Sequence, residues 1–423
     1  MISIPDTHTL KPQAFSGDPR IALFPSRNID LVKIDLLFEA GSAYQQQKLC
    51  ASAASKLYTL ATRRMTSAQV AEFMDFRGII TETTNEVFQS AFTIYTLARH
   101  LEELMPLVHE MFLSPAFAEE DYVRWQQKRH EEIATLEQRT SHLARRLFYQ
   151  ALFGDAHPLG VYATADDVYR LQLDTVVEHW KKHYDLSHCK VVLAGNIEKC
   201  SVFSEQCAVC SDAAAPGTLN TEHSTLNTEH LTLNTSHFPL PTSHFPLPTA
   251  TQTSIRIGRI LPIAWNSVDY ARFIILTTAL GGWFGSRLMR NIREDKGYTY
   301  GIYARTQIYR GCIVFYITAD VAAGTADAAI EQVFNELESL ARKPLPQEEL
   351  TLVKNVLVGD FLRSVDGIFE LSSRYCDMQA NGVDERLTDN LRTAIKETTA
   401  TQLQELAQRL LKVDDMTVCT AGV

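Results

Sequence analysis

Hydrophobic and polar positions alternate along this chain in two rhythms, one of strands and one of helices. The run Leu31 to Phe38 is apolar enough for a strand and ends at Ala40-Gly41-Ser42. Thr66-Ser67-Ala68-Gln69 has the Thr-x-x-Gln form of a capping box, and Val70, Phe73 and Met74 then share one face before Gly78. That spacing predicts a helix stopped by the glycine. A second, longer helical run begins near Glu119. The first half closes with helix-like Thr175 to Tyr184 and a strand, Lys190 to Gly195. The second half closes in the same way, with helix-like Thr401 to Leu411 and a strand from Met416 to Gly422. It opens with a strand, Ser254 to Arg259, and a helix from Asp269, and adds strand candidates Tyr300 to Gln307 and Cys312 to Ala319. Hairpin-joined strands mixed with helices predict an α+β chain of two related domains. Each would be a mainly antiparallel sheet covered by helices.

Between the halves the pattern changes in kind. From Thr218 to Ala250 the chain repeats every seven residues, with Asn220, Asn227 and Asn234 in phase and His223, His230, His237 and His244 in phase. A coiled coil needs two apolar positions per heptad on good helix formers; here Leu recurs once per period and prolines close the segment. The composition predicts a mobile, dispensable low-complexity linker, and tandem duplication of a short coding unit explains the phased histidines better than a metal site does. The expected divisions are residues 1–202, a linker at 203–252, and residues 253–423.

Composition narrows the function classes. With 423 residues, 45% hydrophobic and 21% charged, there is material for two cored domains. A formal charge of -10 and the lack of a basic stripe with interleaved aromatics exclude a nucleic-acid footprint. No stretch is apolar enough to span a membrane. Met1 to Asp6 lacks a basic n-region and an apolar h-region, so the expected location is cytoplasmic. The eight cysteines are scattered, and Cys207-Ala208-Val209-Cys210 with Cys200 upstream has no second pair at zinc-ribbon spacing, so neither a disulfide framework nor a metal site is expected.

Two segments carry chemistry, one by what it lacks. The Ala/Ser-rich stretch Ser52-Ala53-Ala54-Ser55-Lys56 lies between the first strand and the capped helix. The other is Leu280-Gly281-Gly282-Trp283-Phe284-Gly285-Ser286-Arg287-Leu288, followed by Ile292-Arg293-Glu294-Asp295-Lys296-Gly297-Tyr298-Thr299-Tyr300. Its glycines lack the Lys-Ser/Thr and the spacing of a phosphate loop, so they read as a helix-to-helix turn. Arg293 taken alone reads as a surface partner of Glu294, and Tyr300 as an ordinary strand aromatic. His157-Pro158-Leu159-Gly160 reads as a structural turn. His130-Glu131-Glu132 has Ala134 where a zincin helix needs His.

Taken together, these segments resemble the insulinase/pitrilysin-type zinc metallopeptidases, the inverzincins. In that family the first helix carries His-x-x-Glu-His, then comes a tail ending in Gly-Thr and a capped helix. By that register Ala61-Thr62 takes the Gly-Thr place, and Ser52, Ser55 and Lys56 stand at the metal-motif positions. A hydroxyl is a poor zinc ligand, Ser55 cannot be the general base, and Lys56 brings an ammonium where a ligand is required. The third-ligand position falls on Glu132, with Glu131 the one-residue alternative. An ion pair between Lys56 and Glu132 would then take the metal's place. In the second half the resemblance gives Arg293 and Tyr300 the family's contacts to substrate backbone and developing oxyanion.

Some members of the family are heterodimers in which one chain carries the metal motif and the other the Arg/Tyr pair. The resemblance therefore implies a non-catalytic subunit, inactive alone, that acts in peptide hydrolysis beside a homologous partner bearing His-x-x-Glu-His. No cofactor is expected in this chain, and zinc is expected in the partner. The alternative is a peptide-binding or scaffold protein of the same fold without proteolysis.

Overall fold

The computed structural model describes residues 4, 11–15, 18–197 and 243–423. In the first half the strands are β1 (Gln13–Ala14), β2 (Ile21–Pro25), β3 (Leu31–Phe38), β4 (Ile80–Asn85), β5 (Ser90–Leu97) and β6 (Lys190–Gly195). They form one sheet in the order β1-β2-β6-β3-β5-β4, antiparallel except for the β2/β6 pair. Its helices are α1 (Cys50–Leu57), α2 (Ser67–Arg77), α3 (Leu101–Leu113), α4 (Glu119–Leu136), α5 (Thr140–Phe153), α6 (Ala165–Arg170) and α7 (Leu173–His183). The capping box forms as expected: Thr66 accepts from the Gln69 amide, Gln69 accepts from the Thr66 amide, and Gly78 ends α2 at φ 63°.

The second half repeats the plan. Strands β7 (Ser243–Pro246), β8 (Gln252–Ile260), β9 (Thr299–Tyr309), β10 (Cys312–Ala322) and β11 (Thr417–Gly422) are ordered β7-β11-β8-β10-β9. Helices α8 (Val268–Thr277), α9 (Ala326–Arg342), α10 (Gln347–Arg363), α11 (Ile368–Asn381), α12 (Arg386–Glu397) and α13 (Ala400–Leu410) complete it. The chain is thus two related α+β units. Alternation explains each core: Ile255 and Ile257 on β8, Ile302 and Ala304 on β9, and Phe315 and Ile317 on β10 point into one apolar cluster with Phe273 and Leu276 of α8. Phe273 meets Phe315 edge to face, centroids 5.3 Å apart, and truncating either to Ala would cost about 3–5 kcal/mol.

Each half lends a helix to the other's sheet. Helix α5 packs on β8 and β11, where Leu143 and Ala144 meet Ala421 and Phe148 and Tyr149 meet Val314 and Cys419. Helix α11 packs on β2, β3 and β6, its Phe369 and Tyr375 against Phe24, Leu37 and Val192. This second layer explains why β3 is buried on both faces although it carries Lys33 and Asp35 at 3% exposure each. The two form an ion pair at 3.0 Å, and the Lys33 ammonium also donates to Ser373 at 2.8 Å on α11.

One boundary needs correction. The stretch read as a linker, 203–252, contains β7, which pairs in parallel with β11, and Leu247 N donates to Gly422 O at 2.8 Å. His244, the last of the phased histidines, shares a hydrogen bond with Thr420 Oγ1 at 2.8 Å. An edge strand tolerates Pro246 because one side of it needs no amide donor, and the repeat hides any strand alternation. Cys200, Cys207, Cys210, His223, His230 and His237 lie outside the described residues. Of the described cysteines, Cys50, Cys312, Cys376 and Cys419 are free.

Candidate functional site

Helix α1 shows why the first half does not fit a metal. It starts after Leu49, buried and left-handed at φ 70°, and Gln45 Oε1 accepts from the Ala51 amide at 3.3 Å in place of a capping side chain. Cys50, Ala53, Ala54 and Leu57 face the core. Ser55 is also buried, and its hydroxyl donates to the Ser52 carbonyl at 2.9 Å, a helix-internal bond that uses up its donor. Ser52 is half-buried and Lys56 points to solvent.

The ion pair expected between Lys56 and Glu132 is not formed among the described residues. Glu132 is exposed on α4 and pairs within its own helix, with Arg129 at 3.0 Å and Lys128 at 4.0 Å. Neighbours three and four residues away on the same face outcompete a more distant lysine. Glu131, the alternative, is also exposed. A hydroxyl already donating, an ammonium and an engaged carboxylate do not make a zinc ligand set. Among the described residues no group of three or more His, Cys, Asp or Glu is placed to hold a metal ion.

The second half builds a different site, on a helix that unwinds. Helix α8, capped by the Ser267 hydroxyl on the Tyr270 amide at 3.1 Å, widens into a π-helical turn, Thr278–Gly282, that kinks at Gly281. Only glycine fits there: a Cβ would meet the Ala304 amide nitrogen of β9 at 2.5 Å. After the turn a second π-helical segment, Met289–Asp295, carries Arg293. π-Helical turns often mark functional positions. Three hydrogen bonds fasten this region. Arg287 clasps Glu349 of α10 through Nε and Nη2, both at 2.8 Å, and Asn291 donates to Glu336 of α9 at 2.7 Å.

Tyr300 comes from the opposite direction. Gly297 turns the chain at φ 70°, and β9 then meets β10 with an irregularity: Ile302 opposes Ala319 and Thr299 opposes Val321, so Tyr300 and Gly301 together face Asp320. Such a bulge twists the strand and re-aims a side chain. Tyr300 is 90% exposed at the end of the edge strand. The two expected residues come together: the Arg293 guanidinium carbon lies 5.5 Å from the Tyr300 ring centroid and 4.3 Å from that of Phe284. Arg293 Nη1 is buried and has no hydrogen-bond partner.

Sequence reasoning missed Phe284. It is 61% exposed and packs its ring on the Arg293 guanidinium, and a large apolar residue in a glycine-rich turn was the available signal. The same turn borders an open groove of ≈ 870 Å³, lined by Gly282, Trp283, Arg305, Asn355, Asp360 and Arg363. The arrangement offers a cation held against aromatic faces, a phenol in solvent and a groove beside them. That combination can take a backbone carbonyl or carboxylate and let an adjoining chain lie alongside.

Comparison with known proteins follows the same lines. Residues 170–357 match the family described as peptidase M16 inactive domain. A protein of Streptomyces coelicolor named as an uncharacterized zinc protease is 23% identical over 358 residues, covering 83% of this chain and 75% of that protein. Among solved structures, a peptidase M16 inactive domain from Pseudomonas fluorescens superposes with a TM-score of 0.79 at 20% identity, covering 95% of each chain. A protease from Helicobacter pylori superposes at 0.78 with 16% identity, covering 95% of this chain and 96% of that one. These two structures are likenesses of fold.

Proposed function

From the premise that the chain is a member of the insulinase/pitrilysin-type (M16) zinc peptidase family carrying that family's inactive domain, we propose that it is the non-catalytic subunit of a heterodimeric peptidase. Its partner is a homologous chain bearing His-x-x-Glu-His and the zinc. This chain's part is to hold the peptide. The Arg293 guanidinium donates to a substrate carbonyl or carboxylate, the Phe284 and Tyr300 rings hold it in place, and the Tyr300 hydroxyl donates to the oxygen on which negative charge develops.

The observation that carries this reading is the Arg293 guanidinium, without an acidic partner among the described residues, held 4.3 Å from the Phe284 ring and 5.5 Å from the ring of the exposed Tyr300. Leaving a charged donor without a partner costs about 1–3 kcal/mol or more, so a structural arginine would be expected to find one. A scaffold of the same fold gains nothing from that arrangement. The fastening of the π-helical segment through Arg287 and Asn291 also supports a positioning role, because catalytic geometry tolerates little misplacement.

The reading is tested by purifying the chain, mixing it with a related chain that carries the metal motif, and following association and hydrolysis of a short unstructured peptide. Each chain alone is expected to be inactive, and a 1:1 complex active. Hydrolysis by this chain alone in metal-free buffer, or no association with any metal-bearing relative from the same genome, contradicts it.

A further inference from the structure

Where helix α5 packs on the second sheet, one arginine of each lacks a counter-ion among the described residues. Arg256 on β8 stands opposite Thr318 of β10 and Cys419 of β11, with its guanidinium 4.7 Å over the Tyr316 ring. Arg145 on α5, the helix laid across β8 and β11, has its guanidinium 5.7 Å from the Tyr149 ring centroid. Among the described residues no carboxylate lies within ion-pair distance of either one. The ionisable groups acting on Arg256 are Tyr316, Tyr149, Tyr162 and the charge of Arg145. Asp320, opposite Ser254 in the β8/β10 register, is held by the Ser254 hydroxyl, which bonds in turn to Thr140 of α5 at 2.8 Å.

This is an unusual balance of charge. Two guanidinium groups repel each other where burial weakens solvent screening, and the ring faces that offset this contribute only about 0.5–2 kcal/mol each. Burial is the leading cause that lowers the pKa of Arg256, with Arg145 pulling the same way. His142, one turn before Arg145, is also held below its usual range by burial and then by the charges of Arg145 and Arg146. Arg256 Nε is buried and has no hydrogen-bond partner. The phenols crowd the same place: Tyr149 and Tyr309 share a hydrogen bond at 2.9 Å, and the Tyr162 oxygen accepts from Arg145. Arg145 itself reaches solvent, so the cluster is open to a ligand.

We propose that Arg145 and Arg256, with the Tyr149, Tyr162, Tyr309 and Tyr316 rings around them, form a binding site for an oxyanion. A carboxylate or phosphate placed between the two guanidiniums would receive charge-assisted, bidentate donation and cancel their repulsion. The site is separate from Arg293 and stands without the heterodimer reading. The two sources of such an anion are a free inorganic ion and the terminal carboxylate of a peptide.

The test is thermal unfolding of the full chain at constant ionic strength in chloride, titrated with inorganic phosphate, with a short peptide ending in a free carboxylate, and with the same peptide as its C-terminal amide. A saturable rise in Tm with phosphate or with the free-acid peptide, absent with the amide, is expected. Whichever of the two acts at lower concentration identifies the source. Arg145→Gln and Arg256→Gln should each weaken the response at least tenfold. Because Arg145 is exposed, its variant keeps the test open should Arg256→Gln fail to fold. No response above chloride, or an undiminished response in Arg145→Gln, overturns the proposal.

Discussion

Replacing Arg287 by Met tests whether the site is held by its own half of the molecule. The substitution keeps side-chain length and apolar volume and removes a guanidinium bound to both Glu349 oxygens at 2.8 Å. Both side chains are only 16% exposed. An exposed ion pair contributes about 0–1 kcal/mol, whereas breaking a fully buried one costs about 3–5 kcal/mol. A mostly buried, two-pronged pair lies between them, so the expected loss is about 2–3 kcal/mol. For a unit of this size each kcal/mol moves Tm by about 2–4 °C, giving a drop of about 4–12 °C by differential scanning calorimetry. Neutral Glu349→Gln and the double variant complete a cycle. A coupling of at least about 1 kcal/mol is expected, well above the ~0.5 kcal/mol scatter of independent sites. A single-variant loss under about 0.5 kcal/mol with no coupling refutes the idea that this clasp fixes the segment leading to Arg293.

Two further outcomes follow from local packing and charge. Gly281→Ala forces a Cβ to 2.5 Å from the Ala304 nitrogen and 2.8 Å from its Cβ, so about 1–3 kcal/mol of stability should be lost in urea unfolding; a neutral result would show that the kink relaxes freely. His183 is pushed down to about 4 by burial and then by the charges of His179 and Lys182, and His179 is lowered chiefly by burial. The unfolded chain therefore binds these protons first, and stability should fall as pH drops from about 6.5 toward 4. The double variant His179→Gln/His183→Gln should flatten that slope, and a parallel profile would contradict it.

Local signals in the sequence were sufficient where local physics decides the outcome. The Thr66 capping box, the Gly78 stop and the apolar runs of β3 and β10 depend on neighbours a few residues away, and each appears in the structure. The approach of Arg293 to Tyr300 was legible only through the motif that holds both, since the bulge that aims Tyr300 depends on pairing with β10. Phe284 was hidden because exposure of an aromatic in a turn is a tertiary fact. The expected pairing of Lys56 with Glu132 failed because Arg129 and Lys128 are nearer on the same helix. Strand β7 lay inside a repeat whose period masked its edge pairing to β11.

The central claim is that Arg293 and Tyr300 serve peptide hydrolysis in a complex. The most direct measurement is turnover of an assembled complex of this chain with a metal-bearing partner, comparing wild type with Tyr300→Phe and Arg293→Ala. Tyr300→Phe keeps the ring beside Arg293 and removes one donor, so assembly should persist while kcat falls about 10²- to 10³-fold. Arg293→Ala should raise KM as well as lower kcat, because it removes substrate positioning. Unchanged kcat and KM in a fully assembled complex carrying both substitutions would contradict the claim and leave this chain as a scaffold.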